Sequence, residues 1–256
     1  MLLNRLAHPS RLQTMVKMFG RSVSEISLIV NCMLDHIYDT FCVTKLASID
    51  QPWVVNNLDA FAQAVSNKGS PLTRCICFLD GTVRPIARPT YNQQDLFSGH
   101  KRCHGLKYQS AVVPNGMIAE LAGPFPSRRH DSWVLGQSNI LVRLENLPGN
   151  VYGYGDPAYP LRQGLICPYK GDTSPQQQNF NSAMSTVRIC VEWVFGKITN
   201  LWPYIDDKKN QTLYKQPVAK QYLVCAFLTN VHTCLYGSQT GKFFDLQPPT
   251  LEQYLD

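Results

Sequence analysis

Residues 75–82 read Cys-Ile-Cys-Phe-Leu-Asp-Gly-Thr, and this stretch decides what fold to expect. An unbroken apolar run that stops at an Asp-Gly turn signal predicts a short buried strand, Cys75–Leu79, with Asp80 at its end. Cys75 and Cys77 then lie on one face of that strand. Downstream, His104–Val113 and Met117–Ala122 read as a second and third strand, set off by Pro-containing turns. Asp131 opens a short helix through Leu135. Val151–Gly155 is a fourth strand ending at Asp156, and Leu165–Pro168 a fifth. A long helix follows over Phe180–Ile198, with Met184, Val187, Val191, Phe195 and Ile198 on its apolar side, and another over residues 218–235. A three-strand meander continued by strands after a helix predicts an α/β fold with a mixed sheet.

Upstream of this core the texture is helical. Ser10 is placed to cap a helix carrying Leu12, Met15, Val16 and Phe19, which Gly20 ends. Ser22-Val-Ser-Glu25 is a capping box, and Ile26, Ile29, Val30, Met33, Ile37 and Phe41 follow it with helical spacing. Helix, Gly turn and helix together resemble a helix-turn-helix. Between Ser22 and Thr44, however, there is no Lys or Arg, whereas Glu25, Asp35 and Asp39 are present. Contacts to phosphates and base edges need other side chains. The second helix is therefore expected to pack or to meet a partner rather than to read DNA. Residues 45–74 add one amphipathic helix, Val54–Val65. The chain divides into a helical region 1–74, an α/β domain 75–235 and a peripheral tail 236–256.

Composition narrows the function classes. Hydrophobic residues make up 44%, enough for a substantial core in 256 residues. The formal charge is +6, which permits a polyanionic partner without requiring one. The nine cysteines include no CxxC pair, so a zinc-finger or dithiol redox site is not expected, and the pattern suits reduced thiols inside a cell. No uninterrupted apolar run approaches the ~18 residues of a membrane span, so a membrane is not an expected partner.

Three acids occupy telling places: Asp80 and Asp156 each close a strand, and Glu192 interrupts the apolar neighbourhood of Val191 and Trp193 on the long helix. Strand ends are where open α/β sheets place their sites. Carboxylates that meet there repel one another unless protons or cations intervene, and Mg²⁺ prefers such oxygen ligands. Two such ions can clamp the attacking and leaving oxygens of a phosphodiester displacement, with no protein nucleophile. Taken singly, each acid could be a cap or a surface charge; their order and context favour a site. Arg84, Arg88, Lys101, Arg102, Lys107, Arg128 and Arg129 crowd the sequence between the first strand and Asp131, where they could neutralise phosphates or form a solvated face. A phosphatase built on Asp-Gly-Thr would need a nucleophilic Asp two positions before Asp80, where the chain has Phe78.

The motifs FLDGTVRPI (78–86), FSGHKRCHGLKYQSAVVPNG (97–116), GPFPSRRHDSWVL (123–135), YGDPAYP (154–160) and FNSAMSTVRICVEWVFGKI (180–198) resemble, in this order, the DDE endonuclease domain of PIF/Harbinger transposases. LQPPTLEQYL near the end and FGRSVSEIS (19–27) extend the resemblance across the chain. It implies an RNase H-like core and a nuclease that uses Mg²⁺ or Mn²⁺ to cut DNA at transposon ends and join those ends to a target. Carried over by residue, it implies catalytic and metal-binding roles for Asp80, Asp156 and Glu192. Asp131 becomes a further metal ligand, and His130 and Arg188 support the site, Arg188 by pairing with Glu192 one turn away. DNA contacts fall to Arg84, Lys101, Arg102, Lys107, Arg128 and Arg129. The resemblance also implies at least a dimer, since two ends are joined, together with a separate Myb-like DNA-reading partner and a nuclear location. A domesticated descendant without catalysis, acting on DNA or on a partner protein, is the alternative.

Overall fold

The computed structural model describes residues 1–256. It is an α/β fold whose six-stranded mixed sheet is flanked by helices and preceded by a helical region.

That region contains α1 (Leu2–Ala7), α2 (Leu12–Phe19) and α3 (Val23–Ile37), then α4 (Val43–Lys45), α5 (Pro52–Val55) and α6 (Leu58–Asn67). Gly20, at φ 64°, ends α2 in the left-handed conformation that glycine adopts at least cost. The capping box on α3 is formed: Ser22 Oγ accepts from the Glu25 amide at 3.3 Å, and the Ser22 amide donates to Glu25 Oε2 at 2.9 Å. Ser10 does not cap α2; the N-cap is Arg11, and the Ser10 carbonyl accepts from Arg5. Instead of ending at Phe41, α3 runs through a π-turn at Tyr38–Cys42 into α4, giving 23 helical residues. By length and a mean hydropathy of 1.3, this helix could cross a bilayer, which corrects the expectation that no segment could. Here its Ile26 and Leu34 face the core, Asp35 pairs with Lys220 at 2.6 Å, and Leu28, Ile29 and Met33 are exposed. The helix expected over Val54–Val65 is split into α5 and α6 by Asn56 and Asn57.

The sheet contains β1 (Cys75–Pro85), β2 (Phe97–Ser98), β3 (Cys103–Val112), β4 (Ile118–Pro126), β5 (Tyr152–Gly155) and β6 (Leu165–Ile166). β3 pairs antiparallel with β1 on one side and with β2 and β4 on the other. On its far side β1 pairs in parallel with β5, and β5 with β6. β1 is longer than expected. Its parallel ladder with β5 stops at Leu79↔Gly155, while its antiparallel ladder with β3 continues to Pro85↔Gly105. Asp80 therefore ends the parallel ladder but not the strand. Cys75 and Cys77 are both fully buried in β1, and all nine cysteines are free.

Between β4 and β5 lie α7 (Asp131–Ser138) and α8 (Ile140–Asn146). After β6 the single helix expected over Phe180–Ile198 is two: α9 (Pro175–Arg188) and α10 (Cys190–Leu201), separated by a turn at Ile189. There the Glu192 amide bonds back to Ile189 O at 3.1 Å, a tightened three-residue step. The last elements are α11 (Val218–Tyr236), α12 (Gln239–Phe244) and α13 (Leu251–Leu255).

One continuous cluster of 55 buried hydrophobic residues runs from Leu2 to Tyr254, so the N-terminal helices and the tail share the core of the sheet. The tail is not peripheral, contrary to expectation. Tyr254 is fully buried, stacks on Phe227 at 5.9 Å and accepts from Asn230 Nδ2 at 3.0 Å. Gly and Pro punctuate 236–256 without preventing Phe244 and Tyr254 from reaching the core.

Candidate active site

The end of the β1–β5 ladder brings two acids side by side. Leu79 is in register with Gly155, so Asp80 and Asp156 leave neighbouring strands at the same level. Asp80 Oδ1 accepts from the Gly81 amide at 2.8 Å, and Asp156 Oδ1 accepts from the Ala158 amide at 2.6 Å. These bonds turn the second oxygen of each carboxylate toward Arg188. Its Nη1 lies 3.0 Å from Asp80 Oδ2 and its Nη2 3.8 Å from Asp156 Oδ2. Arg188 reaches the pair from the last turn of α9, where Met184 and Val187 anchor the helix by burial.

Burial pushes the Asp80 carboxyl above the ordinary carboxylate range. The Arg188 charge and the Gly81 amide draw it down, and the neighbouring Asp156 charge adds to the rise. The guanidinium therefore offsets part of the cost of holding two acids together in a partly enclosed place.

Side chains alternate along a strand, so the direction Gly81 faces is opposite to that of Asp80. Asp131, the first residue of α7, occupies the Gly81 side. A Cβ on Gly81 would lie 2.5 Å from Asp131 Oδ1, so the glycine provides the room this acid needs. Lys107 holds Asp131 there, its Nζ 3.2 Å from Asp131 Oδ1 and 2.7 Å from the Arg129 carbonyl. The buried Tyr159 hydroxyl lies beside the Gln109 amide without a well-formed hydrogen bond between them. Burial first, and then the Asp131 charge, hold the Tyr159 phenol well above its ordinary value.

The structure thus joins Asp80, Asp156 and Arg188 and places Asp131 on the other face of β1. Glu192 does not join them. It is exposed and lines a groove with Trp193, Lys197, Ser238, Gln239 and Thr240. No ion pair links it to Arg188, which pairs with the two aspartates instead. The turn at Ile189 breaks the helical relation between positions 188 and 192. No three His, Cys, Asp or Glu side chains lie close enough together to hold a metal ion. The donor chemistry of the Asp80–Asp156 pair nevertheless fits one hard divalent cation, and the guanidinium now supplies positive charge beside both carboxylates.

Two of the basic residues expected to contact DNA are turned inward. Arg84 stacks over the Tyr222 ring at 5.5 Å with its side chain 16% exposed, and Lys107 is buried against Asp131. Both lie within the β1–β3 ladder, Arg84 opposite Leu106 and Lys107 opposite Val83; Arg84 donates to Thr82 Oγ1 at 3.1 Å, and its Nε and Nη1 are buried without a hydrogen-bond partner. Lys101, Arg102, Arg128 and Arg129 are exposed, as is His130, the N-cap of α7. Glu120, flanked by Ala119 and Leu121, carries no signal in the sequence. This buried acid on β4 pairs with Arg143 of α8 and accepts from the Ile49 amide at 3.1 Å.

No curated protein and no solved structure matched the chain. Residues 79–230, which hold both site aspartates and Arg188 and form more than half of the chain, match the family model described as DDE superfamily endonuclease, and the chain belongs to that family.

Proposed function

We propose that the protein is a divalent-metal-dependent DNA endonuclease of the PIF/Harbinger transposase type, cutting at transposon ends and transferring those ends to a target. The observation that carries this reading is the pairing of Asp80 with Asp156 at the end of the β1–β5 ladder, inside the family-matched segment. The antiparallel meander β1, β3, β4, extended by parallel β5 and β6, supports an RNase H-like core. Asp80 and Asp156 hold the cation, Mg²⁺ or Mn²⁺, which when bound supplies a Lewis acid and a water of lowered pKa. Arg188 yields its place between the carboxylates and turns its charge to the phosphate. Glu192 completes the acid set through a change in the turn at Ile189. Asp131 stays with Lys107 and fixes the opening of α7 beside Gly81. Lys101, Arg102, Arg128 and Arg129 take the DNA backbone through charge alone. At least a dimer acts, in the nucleus, with a Myb-like protein reading sequence. The exposed Leu28, Ile29 and Met33 on α3 give such a partner an apolar surface.

A second reading, a DNA-associated protein without catalysis, is favoured by the Arg188 contacts to both carboxylates and by the position of Glu192. Cleavage of end-containing duplex in Mn²⁺ separates the two. On the first reading wild type cuts, and Asp80→Asn or Asp156→Asn each lowers the rate by about 10²–10³ or more and removes stabilisation by Mn²⁺ against heat. Glu192→Gln lowers the rate comparably but keeps most of that stabilisation. A wild-type protein that neither cuts nor is stabilised by Mn²⁺ rejects the nuclease.

A further inference from the structure

Away from the acids, the short β2–β3 hairpin and the segment before it form an open groove of about 560 Å³, lined by Gln93, Gln94, Phe97, Gly99, His104 and Arg128. That volume falls within the range of small-ligand sites. Phe97 is 42% exposed although apolar, and it stands in register with His104, their rings 5.2 Å apart and edge to face. The backing is fixed: Leu96 and Ser98 are buried, and Ser127 Oγ donates to the Leu96 carbonyl at 2.7 Å. Gln93 is oriented by Arg88, whose Nε donates to Gln93 Oε1 at 2.9 Å.

The charges around the groove are mostly of one sign. Arg128 lines it, and Lys101 and Arg102 form the exposed tip of the hairpin. Burial, and then the charges of Arg88 and Lys208, hold the His104 ring below its usual pKa. The acid at the rim, Asp95, lies 3.8 Å from Arg128. An aromatic face, two side-chain amides and a cluster of cations make a combination that suits nucleic acid, because every base has a π-face and every nucleotide a phosphate. A base inside a duplex keeps its faces stacked; an unpaired one exposes them.

We infer that this groove seats an unpaired nucleotide of the DNA strand, with its base on Phe97, its edge toward Gln93 and Gln94, and its phosphate toward Arg128. The inference rests on the DNA reading above and adds a subsite to it. The spacing suits this. Along β3, His104 stands six positions before Ser110, the register partner of Asp80, a distance of about 20 Å at the rise of a strand. A strand rises about 3.4 Å per nucleotide, so the groove lies on the order of six nucleotides from the acids.

Fluorescence anisotropy on the full chain, in chelator so that no cleavage occurs, tests this with one labelled oligonucleotide presented single-stranded and as its duplex. Phe97→Ala is expected to weaken single-strand binding about tenfold or more while changing duplex binding by less than about twofold. Phe97→Leu should behave like Phe97→Ala, and Phe97→Trp should retain wild-type affinity. Because the side chain is partly solvent-facing, melting temperatures should stay close to wild type. Single-strand affinity unchanged in both Phe97→Ala and Phe97→Leu overturns the subsite alone. A wild-type protein that binds neither form overturns the subsite and the DNA reading together.

Discussion

Asp80 is held by opposing forces: burial disfavours its charge, and Arg188 favours it, with burial the larger effect. A carboxyl whose native pKa is raised stabilises the fold below its unfolded pKa of about 3.9, and that contribution is lost as pH rises through the native value. Asp80→Asn removes the buried charge. It should therefore raise the melting temperature of the metal-free protein near neutral pH, with the gain shrinking toward zero in acid. A lower melting temperature at neutral pH would mean that the Arg188 contact outweighs burial. Asp80 and Asp156 were legible in the sequence because each follows an apolar strand, and the register confirms their adjacency. Arg84 and Lys107 were not: a cation in a strand looks alike in sequence whether it faces water or, as here, a Tyr222 ring or an Asp131 carboxylate.

Among the elements, the turn at Ile189 changes the site most. Met184, Val187, Val191 and Ile198 are all buried, so the hydrophobic period passes through the break without a signal, and no Gly or Pro marks it. Reading one helix aligned Glu192 with Arg188; two helices set them apart. The capping box of α3 and most strand positions were legible because they depend on neighbours in sequence. The π-turn continuing α3 was not, nor was the split of the helix before β1. Glu120 shows how distant elements are locked. It is 1% exposed and ties β4 to α8 through Arg143 and to the loop before α5 through Ile49. Removing one partner of a buried pair leaves a charge uncompensated, which costs about 3–5 kcal/mol. Arg143→Ala should lower the denaturation midpoint accordingly with little change in m-value, and a loss under about 1 kcal/mol would show that water replaces the guanidinium.

Across the whole molecule, a core running from Leu2 to Tyr254 backs the β1–β5 ladder end, while the exposed cations stand in two turns, Lys101 and Arg102 between β2 and β3, and Arg128 and Arg129 before α7. The α/β class and mixed sheet were legible from the order of apolar runs. The inclusion of the tail was not, because a few residues such as Phe244 and Tyr254, separated by polar and turn residues, carry its burial. The central claim is that Asp80 and Asp156 bind a cation whose charge Arg188 now replaces. Crystals soaked in Mn²⁺ and measured for anomalous scattering test it most directly. The account predicts a peak between the Asp80 and Asp156 carboxylates, with the Arg188 side chain withdrawn from both. Crystals with no peak there, and with Arg188 still bridging the two aspartates, would contradict it.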